Sequence, residues 1–236
     1  MKFLSTWVAL SLILGQEGVA IAYDYKLPPG ISRWGEMSAQ DRFIATKIPV
    51  NEIEQMSPEE IVDACLTYPF IYGIFACDNK LSCADYLVRN SSAFSALEGN
   101  RENCIAFLNQ YYSKIGEYTE NSNKREIIKL GMTVSVMELI LARSQVFQML
   151  PLEENLKLLK SASEPISRHD DPAGEKREIK TLLMGNVVKF LQNNSKSMEV
   201  KFSDKSSHFL ATGTGYSPEL FDEIRVLVLA YFDNEG

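Results

Sequence analysis

The chain has 236 residues, 45% of them hydrophobic, with 24 Lys and Arg against 31 Asp and Glu and a net charge of −7. A mildly acidic chain excludes nucleic acid as a main partner, because phosphate contacts need clustered Lys and Arg. The same balance argues against electrostatic binding to an anionic membrane surface.

Residues 1–22 read as a secretory signal peptide. Lys2 supplies the positive start, and Phe3 to Leu14 form an apolar stretch too short and too lightly flanked to span a membrane. Ala20-Ile21-Ala22 then gives the small-x-small pattern that a signal peptidase accepts. Cleavage after Ala22 predicts an exported protein, periplasmic or extracellular and soluble once processed. No cysteine lies near that point to carry a lipid anchor. Residues 23–236 are expected to form a single helical domain. Residues 23–50, with their Tyr-Asp-Tyr-Lys-Leu-Pro-Pro-Gly start, are expected to be an extended arm.

Helical periodicity dominates from there. Ser57-Pro58-Glu59-Glu60 places a cap hydroxyl, a proline at the first helical position and a carboxylate three residues after the cap. Ile61, Val62, Cys65 and Leu66 continue it as an apolar stripe, and Pro69 disfavours helix at Tyr68. Further helices are predicted over about 70–77, 81–89 and 103–115, the last with Cys104, Phe107, Leu108, Tyr111 and Ile115 on one face. Residues 124–149 predict one long helix or two consecutive ones, with Gly131 as the weak point. Within them, 132–150 is the most apolar later stretch, but Glu138, Arg143, Gln145 and Gln148 make a core helix the cheaper reading than a membrane span.

Helices over 152–160 and 175–191 follow, and a last one starts at Ser217-Pro218-Glu219. Residues 198–202, where Val200 and Phe202 alternate with charges, have strand character. Breaks fall at 163–174 and 193–216. The prediction is an all-α protein of about eight or nine antiparallel helices. They form either a multi-helix bundle or a short α-solenoid-like array, since no repeat at a fixed period selects the latter.

Cys65, Cys77, Cys83 and Cys104 are separated by 11, 5 and 20 residues, without the close pairs that converge on zinc and without a histidine nearby. Cys65 and Cys104 sit on apolar helix faces, where burial keeps a thiol inert. In an exported chain an even count suggests disulfides. A nested pairing is expected, Cys77–Cys83 across a helix–helix turn and Cys65–Cys104 between helices. The alternative is that the cysteines are buried and free.

His169, Asp170 and Asp171 group an imidazole and two carboxylates on a loop, able to hold a cation or act as acid and base, or simply to connect polar residues ahead of a helix. Glu138 is the one acid placed mid-helix among apolar residues, where burial can raise a carboxyl pKa. Thr212-Gly213-Thr214-Gly215 precedes a helix, but lacks the lysine and the third glycine of a phosphate-binding loop. No catalytic motif is present, and no metal site or cofactor is implied.

Met56-Ser57, Ile61-Val62, Cys65-Leu66, Tyr68-Pro69, Phe75-Ala76 and Asp78-Asn79 resemble the start of a family of uncharacterised exported bacterial proteins. Leu182-Leu183-Met184-Gly185, Phe209-Leu210 and Thr212-Gly213 resemble its C-terminal half. The likeness covers most of residues 34–232. It implies an exported, all-helical domain and brings no activity or catalytic residue. Cys77, Cys83 and Cys104 fall outside the shared pattern.

These observations favour a non-enzymatic exported protein, a binding or adaptor module for another envelope or extracellular protein. The alternative is a ligand-binding protein or hydrolase with an acidic cleft, using Glu138 or Asp170 and Asp171. A third reading is an inhibitor or immunity-type protein. An adaptor should expose an apolar patch or groove; an enzyme should converge titratable groups in a deep pocket.

Overall fold

Ser57 opens the best-specified helix. Its hydroxyl accepts from the Glu60 N–H at 3.2 Å, and the Glu60 carboxylate accepts from the Ser57 N–H at 2.7 Å, a closed capping box followed by Pro58. The computed structural model describes residues 23–25, 36–120, 123–164, 175–194 and 201–235. These contain twelve α-helices, one 3-10 helix and no strand. In chain order the α-helices are α1 (Ala39–Ala45), α2 (Val50–Ile53), α3 (Pro58–Leu66), α4 (Lys80–Asn90), α5 (Ser92–Gly99) and α6 (Arg101–Glu120). They continue as α7 (Lys124–Leu141), α8 (Ser144–Met149), α9 (Leu152–Ser163), α10 (Glu175–Asn194), α11 (Asp204–Thr212) and α12 (Pro218–Glu235).

The all-helical expectation is met, with more helices than the eight or nine expected. The unexpected ones are short: α1, α2, α5 and α11 have 7, 4, 8 and 9 residues, too few turns for a 3.6-residue period to register. Helix α11 falls inside the stretch 193–216 read as a break, and α8 is the second of the two helices allowed over 124–149. Residues 39–45, expected within an extended arm, are helical because Ser38 accepts from the Asp41 N–H at 3.1 Å and caps α1. Residues 71–76 form the 3-10 helix Ile71–Ala76. The 124–149 stretch divides after Leu141 rather than at Gly131. Arg143 is extended at φ −80°, ψ 138° and N-caps α8, whereas Gly131 is buried inside α7. Of the stretch with strand character, residues 198–200 lie outside the described residues, and 201–202 are not in a strand.

The chain folds as two compact units, one drawn from Met1–Asp78 and Cys83–Val136, the other from Asn79–Ser82 and Met137–Gly236. In the first, α3 packs on α5 and α6, α5 on α6, and α2 on α5. Its core is aromatic: Phe94, Phe107 and Tyr111 are fully buried and Tyr68 is 1% exposed. Tyr25 meets Tyr68 edge-on at 5.6 Å between ring centroids, and its hydroxyl donates to the Ala64 carbonyl at 2.7 Å.

In the second unit α10 is the central element, packed against α8, α9, α11 and α12. Ile179, Leu182, Leu183, Val187 and Val188 of α10 are fully buried. Gly185 permits the close approach of α11. A Cβ there would land inside the Leu210 side chain.

Candidate functional site

Helix α1 gives the first unit an exposed face of mixed chemistry. Asp41, Ile44 and Ala45 share one side of the helix at helical spacing, and Met37 precedes its cap. With Glu36 they line an open cleft of about 560 Å³: Glu36, Met37, Asp41, Ile44 and Ala45. Ile44 is 58% exposed, which for a branched apolar side chain leaves most of its surface in water. Asp41 is held in place by the Ser38 hydroxyl, which donates to its Oδ2 at 2.6 Å.

The opposite side of α1 is anchored. Arg42 and Thr46 are buried, and the Thr46 hydroxyl lies 3.2 Å from the Tyr68 hydroxyl. Phe43 packs tilted against Phe70 and edge-on against Tyr86, each with ring centroids 5.2 Å apart. Phe70 in turn meets Tyr68 at 5.7 Å. A short helix with little stability of its own is thus fixed by an aromatic row reaching the core. The reading of 23–50 as an extended arm missed the Ser38-x-x-Asp41 cap pattern that could have revealed this helix; nothing in the sequence marks its outer face.

The residues singled out in the sequence occupy other places. His169, Asp170 and Asp171 lie outside the described residues. Glu138 is 1% exposed, in the second unit, and its Oε1 lies 4.0 Å from the Lys180 ammonium. That lysine comes from α10. So deeply buried, this carboxylate cannot meet a substrate from solvent without local opening. Among the described residues no cluster of His, Cys, Asp and Glu is arranged to hold a metal ion. No described helix is long and apolar enough to cross a membrane.

Cys77 and Cys83 form a disulfide, as expected. The expected Cys65–Cys104 bond is not formed: both cysteines are free and buried. Cys104 is instead turned toward its own neighbourhood, its thiol donating to the Leu97 carbonyl at 3.2 Å. Burial, reinforced by Glu98, pushes the Cys104 thiol up to about 12, and burial pushes Cys65 well above its ordinary value. Neither is a nucleophile at neutral pH. Iodoacetamide followed by intact-mass measurement should therefore modify no cysteine in the native protein, two after denaturation without reductant, and all four only after reduction. Modification of the native protein would show that the two thiols are accessible.

Glu98, half-buried on α5, has its carboxyl pushed up to about 7 by desolvation. Its folded pKa lies above the unfolded value, so the native state holds this proton more tightly. The contribution is fully present below the unfolded pKa and is lost as pH rises toward 7. Allowing for solvent screening, Glu98 should cost on the order of 1 kcal/mol of stability across that window. Urea unfolding of Glu98→Gln and the native protein at both ends of the window should show a shallower pH slope in the variant. An unchanged slope would place the effect elsewhere.

Among known proteins, no family model, no curated sequence and no solved structure matches this chain, so the reading of its function rests on its own residues.

Proposed function

We propose that the protein is a non-enzymatic binding or adaptor module, exported by its N-terminal segment, that docks another envelope or extracellular protein on the outer face of α1. The observation that carries this reading is Ile44, 58% exposed beside the open cleft on a helix fixed from behind by Phe43, Phe70 and Tyr86. An exposed apolar side chain on a rigid support needs little ordering when it is covered, which favours association. A shallow cleft with two exposed carboxylates and no convergent acid–base set suits recognition better than hydrolysis.

A photo-cross-linking residue placed at position 44, in the cell that makes the protein, tests the face directly. Position 128 is the control, because Ile128 is 63% exposed on α7 but lies far along the chain from α1. One protein partner should be captured from position 44 and not from position 128, and Asp41→Lys should reduce its yield. Equal capture from both positions, or none from either, would remove the docking face. N-terminal sequencing of the exported form should begin at Tyr23; a start at Met1 would remove the export reading.

A further inference from the structure

Resting on the reading of α1 as a docking face, we infer that its occupant is a cationic amphipathic segment of another protein, with apolar side chains flanked by Lys or Arg at helical spacing. The segment that carries the face is acidic along the chain. Residues 36–63 carry Glu36, Asp41, Glu52, Glu54, Glu59, Glu60 and Asp63 against only Arg42 and Lys47. Arg42 is turned inward at 7% exposure, which leaves Lys47 as the one exposed cation of this segment. Glu36 and Asp41 are both exposed, and neither is ion-paired among the described residues.

The apolar component is interleaved with these charges. Asp41 lines the cleft together with Met37 and Ile44, and Val50, 72% exposed, opens α2 farther along the chain. A purely apolar partner would bury Asp41 and Glu36 without compensation, and an acidic one would add like-charge repulsion. A segment that places an aliphatic side chain against Ile44 and a cation one helical turn away satisfies both components at once. An anionic lipid surface meets the same repulsion and is excluded on the same ground.

The test uses the full processed chain and two synthetic amphipathic peptides, one of leucine and lysine and one with glutamate in place of every lysine, read by fluorescence anisotropy. The lysine peptide should bind and the glutamate peptide should not. Ile44→Asp, and separately the pair Glu36→Lys and Asp41→Lys, should each weaken binding about tenfold at low salt, the charge-reversal effect shrinking as salt is raised. Glu153→Lys, on the exposed part of α9, should change affinity less than about twofold. Equal losses from Glu153→Lys would show diffuse charge attraction and overturn the inference. If both peptides bind and both depend on Ile44, the docking face stands and the cationic occupant falls. If neither peptide's binding responds to Ile44→Asp, the docking face falls as well.

Discussion

Gly213→Ala is expected to destabilise the second unit by about 2–4 kcal/mol, measured by urea unfolding. Gly213 ends α11 in the left-handed conformation at φ 69°, ψ 16°, with its N–H donating to the Phe209 carbonyl at 2.7 Å. An alanine there carries the left-handed penalty of about 1–2 kcal/mol. It also meets two atoms that cannot easily give way. The added Cβ would lie 2.9 Å from Asn79 Oδ1 and 2.9 Å from Leu81 Cβ. Leu81 Cβ is fixed by the backbone. Asn79 is held at both ends of its amide: Oδ1 accepts from the Ser82 N–H at 2.8 Å, and Nδ2 donates to the Thr212 carbonyl at 2.7 Å.

Gly215 provides the control. It is also left-handed, at φ 80°, but nothing lies within 4 Å of the position its Cβ would take. Gly215→Ala should cost only the conformational part, about 1–2 kcal/mol. Equal costs at the two positions would mean that packing against Asn79 and Leu81 contributes nothing.

The same pair of glycines shows what a sequence can and cannot convey. Thr212-Gly213-Thr214-Gly215 reads as a turn before a helix; it is also the end of α11, a helix read as part of a break, with Thr212 its last residue and Gly213 its C-cap. That Gly213 rather than Gly215 is closely packed depends on Asn79 and Leu81, more than a hundred residues away, and no local rule contains that. Local grammar served well where it is strong. Ser57-Pro58-Glu59-Glu60 predicted its capping box, and the Cys77–Cys83 half of the expected nested pairing is formed. It failed where the decisive fact is tertiary. Cys65 and Cys104 share the apolar environment that a disulfide between helices would need, yet Cys104 takes the Leu97 carbonyl as its partner. The α1 face was hidden for a related reason. Periodicity reveals which residues a helix buries, and a seven-residue helix has no room to show, besides, which apolar residue it leaves in water.

Lys180→Met and Glu138→Leu, made singly and together, should show that this ion pair acts as a unit. Glu138 is 1% exposed, whereas the Lys180 side chain keeps 15% of its surface accessible. Removing the lysine takes one partner from a carboxylate with almost no access to water, and up to about 3–5 kcal/mol should be lost. Removing the glutamate should cost less, about 2–3 kcal/mol, because the flexible lysine stem can carry its ammonium toward solvent. The double variant replaces both charges by aliphatic side chains of similar length among fully buried neighbours such as Met137, Leu139 and Leu183. It should lie within about 1 kcal/mol of the native protein, because a desolvated ion pair separated by 4.0 Å gains little over good apolar packing. Urea midpoints of the four proteins give the coupling energy directly. A double variant as unstable as the sum of the singles would mean that Glu138 answers to groups other than Lys180. It would then regain a claim to a functional role. A near-native double variant that still binds its partner through α1 would leave Glu138 with a structural part only, and the recognition surface in the first unit.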